Sequence, residues 1–151
     1  KSADFDCFML AGRYTLLEQT ALHALNTFKA QGIDILAAGV FNSGILAKGT
    51  EHSEQIHYNY QSAPAKIIKR VKQIEAVCNK YDVALPAAAL HFVSAHPAVT
   101  SLVIGMESPE QVQATMEFTK TTIPDEFWRT LREEGLIATD APLPVNSEDA
   151  I

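Results

Sequence analysis

Three glycine-bearing segments hold the residues whose types and spacing could do chemistry: "AGRYTLL" at 11–17, "AGVFNSGIL" at 38–46 and "GMESPEQ" at 105–111. In the middle segment Gly39, Asn42, Ser43 and Gly44 are interleaved with the apolar Val40, Phe41 and Ile45. An ordinary turn is more polar than this. Small residues set among apolar ones suit a place where backbone approaches a ligand closely. Residues 39–45 are therefore expected to form a ligand-shaped strand end and not a turn. In the third segment Gly105, Met106 and Glu107 precede "SPEQ". There Ser108 can cap a helix, Pro109 suits its first position and Gln111 can reach back. Free N–H groups and the helix dipole at such a start favour an anion such as phosphate.

The other reactive side chains form no comparable pattern. Cys7 and Cys78 have no metal-ligand spacing, and both are expected to pack as small hydrophobes. His23 and His91 fall in helical stretches and take structural roles. His52 and His57 lie in a polar loop over 47–62.

Hydrophobic periodicity places these segments on elements. "DFDCFMLA", 4–11, reads as a strand. Leu17, Ala21, Leu25 and Phe28 then recur at helical spacing, and Gly32 stops that helix. The branched run beginning at Ile33 is a second strand. A helix over 64–80 carries Ile67, Val71, Ile74 and Cys78, and another opens at Pro86 with Ala88, Leu90, Phe92 and Val93 inside. "HPAVTSLVIG", 96–105, is a third strand, followed by the helix from Ser108 and a last one over 124–135. The final segment, "TDAPLPVNSEDAI", reads as extended or disordered. Strands alternating with helices imply parallel β-α units, whose ligands gather at the C-terminal strand ends. Three parallel strands alone leave edges and a face without cover, so the chain reads as an excerpt of a larger fold.

The totals agree with a globular α/β domain. Of the 151 residues 47% are hydrophobic and 20% charged, enough for a real core. A net charge of −6, with "KIIKRVK" at 66–72 as the one basic cluster, argues against nucleic acid or an anionic membrane surface as partner. No apolar run reaches the roughly 18 residues that span a bilayer. Two cysteines in a chain of this size suit a reducing, cytoplasmic compartment.

In combination, "FMLAGRYTLLEQ", "AAGVFNSGILAKG" and "VTSLVIGMESPEQVQ" resemble successive strand ends in the C-terminal part of an aldo-keto reductase. Within that family the chain is most similar to the sugar and aldose 1-dehydrogenase branch (threo-aldose, L-fucose). The resemblance implies a (β/α)8 TIM barrel. This chain would supply about strands six to eight over residues 1–137, with 138–151 as a tail. It implies an oxidoreductase that moves a hydride between a nicotinamide cofactor and a sugar or related aldehyde or alcohol. The alternative is a non-catalytic binding or regulatory module on the same fold. The family's catalytic Asp, Tyr, Lys and His lie on earlier strands, so Tyr14, Tyr58, Tyr60 and Tyr81 are not recruited in their place. The missing N-terminal half of the barrel, or a second copy, would cover the sheet.

The resemblance also implies roles. The segment matching Gly39, Val40, Phe41, Asn42, Ser43, Gly44 and Ile45 holds the cofactor's pyrophosphate by backbone amides and small side chains. Ala38 stands where relatives stack an aromatic on nicotinamide, and Ala11 where they place a glutamine. Arg13 and Tyr14 would lie near the mouth, as wall or as packing. Gly105, Met106, Glu107 and Gln111 would meet the adenosine end, where Ala114 and Thr115 replace the family's frequent Glu-Asn. NADP-preferring relatives put basic residues there. Here Glu107 would repel a 2′-phosphate and accept from a ribose hydroxyl, so NAD is expected over NADP.

Overall fold

A computed structural model describes residues 4–51, 57–58 and 61–144. Their elements run β1 (Cys7–Ala11), α1 (Leu22–Ala30), β2 (Asp34–Ala38), α2 (Ile45–Lys48), β3 (His57–Tyr58), β4 (Gln61–Ser62), α3 (Ala65–Tyr81), α4 (Leu85–Ser94), β5 (Val99–Val103), α5 (Pro109–Thr119) and α6 (Asp125–Glu133). β1, β2 and β5 form a parallel sheet in the order β1-β2-β5. Ala11 pairs with Ala38, and Ala38 with Val103, so the three C-terminal ends finish side by side. The three glycine-bearing segments leave the sheet at this common edge.

One face of the sheet is covered by helices. Ile35 and Ala37 are buried on it, with Phe8, Leu10 and Leu102 packed against the same cluster. Helix α4 explains the close fit. Its successive alanines Ala87, Ala88 and Ala89 let neighbours approach, and Leu90, Phe92 and Val93 fill the gaps. Val71, Ile74 and Val77 of α3 and Phe127, Trp128 and Leu131 of α6 complete the core. The opposite face is open: Met9, in the middle of β1, is 62% exposed. Cys7 belongs to that open face and is exposed, against the expectation that it packs as a small hydrophobe. Only Cys78 does so.

Three further differences from the sequence reading have local causes. The first helix begins at Leu22, later than the apolar spacing of Leu17 and Ala21 implies. The Thr15 hydroxyl accepts from the N–H of Leu17 and of Glu18, folding residues 15–18 into a tight turn. Such side-chain bonds compete with helix. The loop over 47–62 holds the end of α2 and the short antiparallel pair β3-β4, so the described residues contain five strands where three are expected. His52, Tyr60 and the last residues, 145–151, lie outside the described residues. Packing also continues past residue 137, because Ala141 is buried and its carbonyl accepts from the Arg132 guanidinium at 2.8 Å.

Candidate functional site

The middle segment is a turn after all. Asn42 N–H donates to the Gly39 carbonyl at 3.0 Å, Gly44 N–H to that of Phe41 at 3.0 Å, and α2 follows at once. Three consecutive residues are left-handed: Asn42 at φ 46°, Ser43 at 59° and Gly44 at 92°. Asparagine tolerates this region and glycine favours it. The apolar residues that made the segment look unlike a turn anchor it from below, with Val40, Ile45 and Leu46 buried. At its start Gly39, φ 64°, lies against the end of β1. A Cβ there would stand 3.2 Å from the Gly12 nitrogen, while Gly12 N–H donates to the Ala38 carbonyl at 2.9 Å. Asn42 is 3% exposed, and neither Oδ1 nor Nδ2 has a hydrogen-bond partner among the described residues. Buried side-chain amides are normally satisfied.

The third segment forms as expected. The Ser108 side chain accepts from Gln111 N–H at 3.3 Å, and Pro109 opens α5. Gln111 Oε1 reaches back to the N–H of Glu107 at 2.9 Å, one residue before the cap itself. The space about Gly105 is open, and Met106 and Glu107 are exposed beside it. Because β2 pairs with β5, this opening lies next to the 39–45 turn.

The first segment divides. Tyr14 belongs to the core, stacked on Phe92 with ring centroids 5.3 Å apart and meeting His96 edge-on. Burial, reinforced by the negative charge of Asp140, pushes its phenol well above the usual tyrosine range, so it stays protonated. Arg13 instead turns to Glu18, at 3.4 Å. Glu18 also accepts from Thr20 at 2.8 Å and from the Tyr58 hydroxyl. Burial alone would raise the Glu18 carboxyl. Its bonds from Tyr58, Thr20 and Arg13 outweigh that and hold it below the usual carboxylate range. This contact ties the β2-α3 connection to the β1-α1 loop. A second clasp fixes the end of α2, where both Glu75 oxygens accept from Thr50, at 2.7 Å from its N–H and 2.5 Å from its hydroxyl. Beside it lies a cavity of about 260 Å³ lined in part by Lys48, Glu75, Cys78 and Leu85. The Cys78 thiol is pushed up to about 12 by burial and by Glu75, which makes it a poor nucleophile. No pattern of residue types announces either clasp, because the partners lie 40 and 25 positions apart.

Over residues 1–134 the sequence matches the Aldo/keto reductase family. The chain belongs to that family. This aldo/keto reductase chain is 45% identical over 141 residues to a pyridoxal 4-dehydrogenase of Microbacterium luteolum, covering 91% of the chain and 40% of that protein. It is 40% identical over 140 residues to a D-threo-aldose 1-dehydrogenase of a Pseudomonas species, covering 92% and 42%. The chain thus spans about two fifths of the curated relatives it matches. Its fold superposes on an aldo-keto reductase from Bacillus halodurans with a TM-score of 0.67 at 18% identity, covering 92% of this chain and 46% of that one. A glycerol dehydrogenase from Gluconobacter oxydans superposes equally, with a TM-score of 0.67 at 17% identity over 93% and 45%. The parallel sheet and its helices are accordingly a portion of a (β/α)8 barrel. Among the described residues there is no cluster of potential metal ligands and no helix long and apolar enough to cross a membrane.

Proposed function

We propose that the full-length protein is a nicotinamide-dependent oxidoreductase acting on a sugar or related small aldehyde or alcohol, and that residues 1–137 are its cofactor-binding part. The single observation that carries this reading is the juxtaposition of the 39–45 turn and the 105–111 segment at the ends of paired strands, in a chain of this family. The residues present fit a dinucleotide. Gly39 lets the turn lie flat against the end of β1, the space at Gly105 is open, and Asn42 has an amide with no partner among the described residues. The cofactor, when bound, supplies the hydride acceptor or donor. This chain's residues bind and orient it. The 39–45 turn borders the pyrophosphate, with the N–H groups of Asn42 and Gly44 committed to bonds inside the turn, while Gly105, Met106, Glu107 and Gln111 border the adenosine end. The names of its two curated relatives, a pyridoxal and an aldose dehydrogenase, support a small polar carbonyl as the reacting group.

Glu107 supports NAD over NADP. It is exposed beside the opening at Gly105, where a carboxylate accepts from a ribose hydroxyl and repels a 2′-phosphate. Equilibrium binding of both dinucleotides to the full-length protein tests this. NAD should bind about tenfold or more tightly than NADP, and Glu107→Lys should narrow or reverse the ratio. An NADP preference in the unaltered protein would refute the role of Glu107. Absence of binding by either would refute the functional reading.

A further inference from the structure

We infer that the Asn42 side-chain amide is a specificity-determining contact of the dinucleotide site, satisfied by a ligand group that both donates and accepts hydrogen bonds. The inference rests on the reading that a dinucleotide binds between the strand ends, and it changes what Asn42 does there. Two orphaned atoms, a donor at Nδ2 and an acceptor at Oδ1, are shut away from solvent within one side chain. The amide lies toward the end of β1, since a Cβ placed on Gly12 would stand 3.9 Å from Asn42 Nδ2. It therefore bridges from the β2 turn to the neighbouring strand end, inside the edge where the three segments meet.

Pyrophosphate is a poor match for this amide. Its oxygens only accept, so they would satisfy Nδ2 and crowd Oδ1 with like partial charge. A carboxamide or a ribose hydroxyl can donate to Oδ1 while accepting from Nδ2. The backbone says how the amide would be reached. Asn42 and Ser43 are both held left-handed, a costly conformation for residues with a Cβ, in a turn that also leaves a buried amide unmet. A turn with those two debits gains more from rearranging onto a ligand than a satisfied one. Its anchors, Val40 and Leu46, are buried on either side, so the movement is confined to the residues between them.

The test uses the full-length protein and its Asn42→Ala variant, each titrated with NAD, ADP-ribose and ADP, together with the thermal midpoint of the ligand-free forms. Asn42→Ala removes two unmet polar atoms but also loses asparagine's tolerance of the left-handed φ of 46°, so the ligand-free midpoint should shift little, while NAD binding should weaken about tenfold. A penalty with NAD alone assigns the carboxamide as the partner. A penalty shared by NAD and ADP-ribose but absent with ADP assigns the hydroxyls of the ribose that ADP lacks. An equal penalty with all three ligands overturns the inference, since the substitution has then altered the pyrophosphate cradle or the turn as a whole. A lowered midpoint with unchanged NAD affinity also overturns it, because the amide is then satisfied by another part of the protein. Failure of the unaltered protein to bind any of the three overturns the functional reading and the inference with it.

Discussion

His96 illustrates at the scale of a residue how a side chain that could do chemistry is committed to structure. It is fully buried at the α4-β5 junction. Its Nδ1 accepts from Ala98 N–H at 3.1 Å, which leaves Nε2 to carry the proton toward Asn26 Oδ1 at 3.2 Å. A second proton on Nδ1 would break the bond from Ala98. Burial, and then the charge of Lys29, hold the ring below its ordinary value of 6.5. The unfolded chain therefore binds more protons than the folded one below that value, and stability must fall as pH drops through and below about 6.5. Thermal midpoints of the full-length protein between pH 7.5 and 5 should decline with this sign, and His96→Gln should flatten the decline. An identical slope in both proteins would remove His96 as the cause. Asn42 shows the opposite case, a polar side chain buried without the partners that His96 has. The sequence marks it as a candidate by its place between small residues. Its orphaned amide is legible only from the packing.

At the scale of elements, legibility depended on range. Helix α5 was readable because all its determinants are local: Ser108, Pro109 and Gln111 form the cap that their order implies. Replacing Ser108 by alanine removes the acceptor for Gln111 N–H and should cost about 1 kcal/mol. Chemical denaturation of the full-length protein measures that loss, and an unchanged midpoint would show the cap to be dispensable. The turn over 39–45 departs from the strand end expected there for a physical reason. Val40 and Phe41 lower its polarity, yet its direction is set by the left-handed Asn42, Ser43 and Gly44. Asparagine, serine and glycine are each turn formers, and here Asn42, Ser43 and Gly44 stand between apolar anchors that mask them. The late start of α1 follows from the Thr15 hydroxyl, which offers the backbone an alternative to helix. The clasps from Glu18 to Tyr58 and from Glu75 to Thr50 join segments distant in sequence, and no periodicity encodes such pairs.

At the scale of the whole molecule, the fold explains why one edge is rich in candidate residues. Parallel pairing with Ala11, Ala38 and Val103 in register delivers three strand ends to the same line, and the helices on one face hold them there. The open face bearing Cys7 and Met9 is that of a barrel portion, in keeping with coverage of about two fifths of the curated relatives. The alternation of strands and helices made parallel β-α units legible from sequence, and the barrel followed only from the resemblance of the three strand-end segments to the family. The exposure of Cys7 followed from the absence of cover on that face, which local sequence does not encode. The central claim is that the 39–45 and 105–111 segments act together as one dinucleotide cradle. Hydrogen exchange of the full-length protein with and without saturating NAD tests it most directly. The account predicts that both segments gain protection together on binding. Bound NAD with unchanged exchange in both would contradict it.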